Sequence, residues 1–121
     1  MSWVLPRLIG TGRAAELLLS GRVVLAEEAE RMGLVNAVLP PDELLPYALG
    51  YARMLAKEVS PASLAATKAQ LYADWHRDVG SSVVESERLL EELVQGPDFA
   101  EGARALTEKR PPRFGSGHWQ R

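Results

Sequence analysis

Helix-breaking residues partition this chain more sharply than any other feature. Gly10-Thr11-Gly12, Ser20-Gly21, Gly33, Pro40-Pro41, Ser60-Pro61, Gly96-Pro97 and Pro111-Pro112 recur at intervals of one short helix. Proline cannot continue a helix from its interior, and glycine closes one readily in the left-handed conformation. The stretches between these breaks are rich in Ala, Leu, Glu and Arg, all strong helix formers. A chain of 121 residues cut this way is a single domain's worth of short helices.

Residues 5–19 read as helix interrupted at Gly10-Thr11-Gly12. Leu17-Leu18-Leu19 cannot all lie on one narrow stripe, so this helix is expected to be covered on more than one side. Gly21 should cap it. Arg22-Val23-Val24-Leu25 and Leu34-Val35-Asn36-Ala37-Val38-Leu39 are β-prone runs flanking a two-turn helix over 26–32 that Gly33 stops. Together they predict a miniature strand–helix–strand element.

The rest reads as helix. Over 42–59, Leu44, Leu45, Ala48, Ala52, Leu55, Ala56 and Val59 follow the helical repeat, with Pro46 in the opening turn. Ser60-Pro61 supplies an N-cap and a first-turn proline for a helix carrying Leu64, Thr67, Lys68, Leu71 and Trp75. Ser82-Val83-Val84-Glu85 fits a capping box and predicts a helix with Val83, Leu90, Leu93 and Val94 inward. A last helix, 98 to about 109, is expected to be capped by Asp98 with Glu101 three positions on. The predicted fold class is mainly α with a minor short β element. Its expected divisions are 1–40, ending in the strand–helix–strand element, a helical region over 41–112, and a flexible tail over 113–121.

Composition narrows the function classes. Lys and Arg number 14 against 16 Asp and Glu, a net charge of −2 that gives no electrostatic reason to bind nucleic acid or an anionic membrane. The absence of cysteine removes disulfides, a thiolate nucleophile and Cys-based zinc sites. No apolar run approaches the roughly 20 residues that span a bilayer. Met1-Ser2-Trp3-Val4-Leu5-Pro6-Arg7 lacks secretory features, so a cytoplasmic setting is expected.

The chemistry-bearing residues favour plain readings. Gly10-Thr11-Gly12 lacks the lysine and hydroxyl ending of a phosphate loop and reads as a turn. His76 and His118 have no metal-ligand spacing, and no metal site is expected. Glu27, Glu28 and Glu30, and Glu91-Glu92, read as solvated faces. Tyr47 and Tyr51, four apart, suit packing against another helix or a partner. Arg104, Lys109, Arg110 and Arg113 form a cationic patch near the end of the last helix. Favourable placement against the helix dipole explains it, and so would contact with a phosphate-bearing ligand.

Several segments in order resemble one family. They are Leu5-Pro6-Arg7-Leu8-Ile9-Gly10, Ala15-Glu16-Leu17-Leu18-Leu19-Ser20-Gly21-Arg22, Ala26-Glu27-Glu28-Ala29, Gly33-Leu34-Val35-Asn36-Ala37-Val38, Ser60-Pro61 with Thr67-Lys68, and Glu101-Gly102 with Glu108-Lys109-Arg110-Pro111. The chain resembles the C-terminal part of the enoyl-CoA hydratase/isomerase (crotonase) family from Ser2 to Phe114. The resemblance implies the C-terminal helical trimerisation region of a ClpP/crotonase-like α/β fold. It implies a full-length enzyme that hydrates 2-enoyl-CoA in fatty-acid metabolism. The family's oxyanion-hole amides and catalytic glutamates lie before the matching segment, so no catalytic residue is expected here and the chain alone should be inactive.

In several members the last helix gives a lysine and an aromatic residue to coenzyme A held by a neighbouring subunit. By position these fall on Lys109 and on Leu106, where leucine departs from the pattern. Mid-helix Gly102 would suit a close backbone approach. The implied partners are an acyl-CoA substrate, further copies in a trimer or hexamer, or a complementing N-terminal half. No cofactor is implied beyond the coenzyme A of the substrate. A non-catalytic helical oligomerisation or partner-binding module is the rival reading, and a functionless remnant is a third.

Overall fold

A computed structural model describes residues 2–115. Seven α-helices and one 3₁₀ turn make up their regular structure, with no strand among the described residues. The chain divides into two compact units, Met1–Tyr47 and Ala48–Arg121, whose boundary falls inside the helix α4 (Pro41–Glu58).

The first unit holds α1 (Leu5–Ile9), α2 (Thr11–Ser20) and α3 (Ala26–Met32). Gly10, at φ 84° and ψ 153°, breaks the helix between α1 and α2 in a backbone region that residues with a Cβ avoid. The break folds α2 against α1, and Leu5, Ile9 and Ala14 become buried with Leu17, Met32 and Leu34 packed on them. Gly21 and Gly33 adopt the left-handed caps expected of them, at φ 61° and 79°. Beyond Gly33 the Leu34 N–H reaches back to the Ala29 carbonyl at 2.9 Å, closing the end of α3.

The two β-prone runs are connectors without regular structure, the second bending at residues 34–36, so the strand–helix–strand element is not formed. A strand needs a neighbour to satisfy its backbone, and here other groups take that role. Arg22 bridges α2 and α3 through Glu16 (2.7 Å) and Glu28 (2.6 Å), which draws the first run taut. In the second, the Val38 N–H donates to a Glu30 carboxylate oxygen at 3.1 Å. Leu19 is 88% exposed, so α2 buries one face only, contrary to the expectation from its three leucines.

The helix α4 runs through Pro46, which stands past its first turn, and none of its residues is buried. A proline this near the start deletes one backbone bond without ending the helix. In the second unit follow α5 (Pro61–Ala73), the 3₁₀ turn (Asp74–His76), α6 (Val79–Val94) and α7 (Pro97–Thr107). Ser60 caps α5 as expected, accepting from the Ser63 N–H at 3.2 Å. Its hydroxyl also donates to the Asp98 carboxylate at 2.5 Å, tying the start of α5 to the start of α7.

Two expected caps belong to other residues. Asp78 starts α6, its carboxylate taking the Ser81 amide (3.0 Å) and hydroxyl (2.6 Å). A charged acceptor three residues ahead of a free amide outcompetes the Ser82-Val83-Val84-Glu85 box. Ser82 lies inside α6 and donates to Asp74, while Glu85 pairs with Arg88. Helix α7 starts at Pro97 without a side-chain cap, because Asp98 is engaged by Ser60 and Glu101 by Arg110. Along α6, Leu89 and Leu93 are half-buried, whereas Val83, Leu90 and Val94 of the expected inward set are exposed.

Ser60→Ala should lower stability by about 1–2 kcal/mol through loss of the cap and of the link to α7, read from the urea midpoint. Gly102→Ala should instead stabilise the isolated chain by up to about 1 kcal/mol. A Cβ at position 102 would meet only the Phe114 ring, at 4.0 Å, an ordinary contact rather than the close backbone approach expected.

Candidate functional site

The end of α7 gathers a network of charged contacts. The helix stops at Thr107, and Glu108 forms its C-cap with an N–H bond to the Arg104 carbonyl at 2.9 Å. Lys109 then turns left-handed at φ 51°, the one non-glycine positive φ among the described residues. That conformation costs a residue with a Cβ about 1 kcal/mol or more, so surrounding contacts must hold it. The Arg110 N–H returns to the Ala105 carbonyl at 3.0 Å, and Pro111-Pro112 block any continuation.

Glu101, one to two turns back along α7, holds this loop. Its carboxylate accepts from both terminal nitrogens of Arg110, at 2.6 and 3.2 Å, and from the Arg113 backbone N–H at 2.7 Å. Arg110 also donates from Nε to Glu108 at 2.6 Å and from Nη1 to the Pro111 carbonyl at 3.0 Å. A forked guanidinium on a carboxylate fixes direction as well as distance. The Glu101 and Arg110 side chains keep only 17% and 27% exposure.

Of the patch read from the sequence, Arg110 is therefore committed internally. Lys109 and Leu106 are exposed, Leu106 by 82%, and no ion pair is formed by Lys109 among the described residues. The Arg113 backbone N–H donates to Glu101, and Phe114 is half-buried. The remainder of the expected tail, 116–121, lies outside the described residues, as do His118 and Trp119. The Glu101–Arg110 pairing spans nine residues across a helix end, beyond the three- and four-residue spacing that marks helix-face pairs in a sequence.

The other candidates do not form sites. Thr11 and Gly12 belong to the first turn of α2 and cradle nothing. The acidic residues near α3 do structural work rather than simply facing solvent. Arg22 holds the Glu28 carboxyl below the usual range, and Glu30 accepts from Val38. No group of three or more His, Asp or Glu residues among those described could hold a metal ion. An open groove of about 450 Å³ lies between α5 and α6, walled by Ala66, Ala69, Ala73 and Leu89. Its charged rim is self-satisfied, with Arg88 on Glu85 and Glu92 and Arg77 on Asp74. No helix among the described residues is long and apolar enough to cross a membrane.

The Arg110 fork and the Arg113 amide hold the Glu101 carboxyl down at about 2, against an ordinary 4.5. A depressed carboxylate stabilises the fold fully above its unfolded value and loses that contribution as pH falls through the folded value. Stability should therefore decline between about pH 4.5 and pH 2 as this contribution is withdrawn. Glu101→Gln should flatten that part of the profile, and carbon-detected NMR titration should place the Glu101 midpoint near the lower limit.

Comparison with known proteins supplies the context for this geometry. The family model described as enoyl-CoA hydratase/isomerase matches residues 1–117. A probable enoyl-CoA hydratase of Rhodobacter capsulatus is 37% identical over 113 residues, covering 93% of this chain and 44% of the relative. The mevalonyl-coenzyme A hydratase of Aspergillus fumigatus is 38% identical over 114 residues, covering 91% and 41%. The crystal structure of a probable enoyl-CoA hydratase/isomerase from Mycobacterium abscessus superposes with a TM-score of 0.91 at 38% identity, covering 95% of this chain and 47% of that one. The enoyl-CoA hydratase of Bacillus anthracis gives 0.88 at 33% identity, covering 93% and 43%. The chain spans less than half the length of these relatives. The chain belongs to the enoyl-CoA hydratase/isomerase family.

Proposed function

We propose that this chain is the helical, assembly-forming part of an enoyl-CoA hydratase-like enzyme, and that the complete enzyme adds water across a 2-enoyl-CoA in fatty-acid metabolism. The observation that carries this reading is a family match across nearly the whole chain that reaches less than half of each relative. In that chemistry, backbone amides stabilise the thioester enolate and carboxylates activate water. Both functions are assigned to protein outside this stretch. Lys109 is the cation offered to the phosphates of coenzyme A, with Leu106 beside it providing apolar contact in place of an aromatic ring. Coenzyme A enters as part of the substrate and no separate cofactor is needed. A trimer or hexamer in the cytoplasm is the expected working form.

Exposed apolar residues support an assembly role. Val23 and Leu25 in the first unit and Leu71, Val79, Leu90 and Leu106 in the second stand well out in solvent. Such surface on a small chain is a docking liability unless more protein covers it. The same exposure favours a rival, a helical module that binds a partner and no coenzyme A.

Measurement separates these readings. The isolated chain should leave the conjugated thioester absorbance of crotonyl-CoA at background, and turnover above background would overturn the assignment of catalysis elsewhere. Coenzyme A should raise the melting temperature of the assembled protein, and Lys109→Glu should remove the rise. No rise in the assembled wild type would favour the partner-binding module.

A further inference from the structure

We propose that Glu101 is a positioning residue, closing residues 108–113 into a fixed loop that holds Lys109 in its left-handed conformation and keeps its ammonium outward as an anion-contacting group. The anion rests on the reading of Lys109 given above, and the loop geometry stands independently of it. Three observations converge on one carboxylate. It is gripped by the fork of Arg110, it receives the Arg113 amide, and its two partners flank Lys109 and the proline pair. The Lys109 and Arg110 amides close the turn itself on the Leu106 and Ala105 carbonyls, at 3.3 and 3.0 Å, and Glu101 braces that turn by tying the segment after Pro112 back to α7.

Charge points the same way. Arg104, Lys109, Arg110 and Arg113 face only Glu101 and Glu108 as carboxylates in this segment. Arg110 occupies both of those carboxylates, so neither is left to neutralise Lys109. The clamp therefore separates two roles in one basic patch. Arginine, a planar fork, is used internally, and lysine, a compact charge on a flexible stem, is presented outward. A phosphate group is the chemistry such a lone cation at a fixed loop would take.

The test compares wild type, Glu101→Ala, Glu101→Gln, Arg110→Lys and Lys109→Ala as the full 121-residue chain. Arg113 amide exchange by NMR and trypsin cleavage after Lys109 report the loop, and coenzyme A titration of the assembled protein reports the cation. Glu101→Ala should speed both loop readouts roughly tenfold, with amides in the middle of α7 unchanged. Glu101→Gln, which keeps the length but only one of the two acceptor oxygens, should fall between, as should Arg110→Lys. Coenzyme A affinity should drop in Glu101→Ala as far as in Lys109→Ala.

Unchanged loop exchange in a folded Glu101→Ala chain would overturn the proposal, and so would a uniform rise along all of α7. Should Glu101→Ala fail to fold, Arg110→Lys decides by the same two readouts. Weaker coenzyme A binding in Lys109→Ala with full affinity in Glu101→Ala would overturn the positioning role alone. No binding by wild type, or full affinity in Lys109→Ala, would overturn the coenzyme A reading, and the loop would still be judged by exchange.

Discussion

Helices that bury this little must secure their ends. Among the described residues only Leu5, Ile9, Ala14, Ala29 and Ala105 are buried, and alanine contributes little apolar area. A short helix held by such packing is marginal, since nucleation is unfavourable and most helical stability comes from a buried face. The structure answers with specific groups at several helix ends. Glycine closes α2 and α3, Ser60 and Asp78 open α5 and α6, and Arg110 with Glu101 seals the end of α7. Hydrogen bonds of this kind carry geometric information that a sparse apolar core cannot. They fix where each helix begins and therefore which face it presents.

That arrangement leaves much apolar surface uncovered. The buried cluster of the first unit is just large enough to set the angle between α1 and α2. The apolar side chains left over, Leu19 and Val23 among them, have no role within the unit that holds them. Membership of the enoyl-CoA hydratase/isomerase family, at less than half the relatives' length, supplies a reason for surface of this sort. Local polar contacts keep the pieces in shape, and burial is left to whatever protein they meet.

Predictions about helix ends also show what the sequence made legible. Gly21, Gly33 and Ser60-Pro61 act through their own backbone or nearest neighbours, so residue type and position were sufficient to read them. The capping box at Ser82 and the cap at Asp98 failed for one shared reason. Each depended on which polar groups meet: Asp78 takes the Ser81 amide at the start of α6, and Asp98 accepts the Ser60 hydroxyl through space instead of capping α7. The β-prone runs failed because propensity says what a residue tolerates, while a strand also needs a partner. At the candidate site, Lys109 and its cationic neighbours were visible as a patch. The division of labour within it was not, because Glu101 reaches Arg110 across a helix terminus at no regular spacing.

That division bears on how a basic cluster should be interpreted. Counting cations near a helix end credits the dipole with all of them equally, yet the dipole acts only over the last turn and is screened. Here Arg110 is spent on two carboxylates and a carbonyl, and its charge is matched before any ligand arrives. Lys109 sits one residue earlier with a backbone conformation that has to be enforced and no ion pair to show for it among the described residues. A purely structural cation would be expected to collect the nearest carboxylate, and Glu108 is its direct neighbour in sequence. Instead Glu108 is drawn to Arg110, and Lys109, like the Arg104 and Arg113 side chains, forms no ion pair among the described residues. Arg110 builds the loop, and Lys109 stays exposed within it.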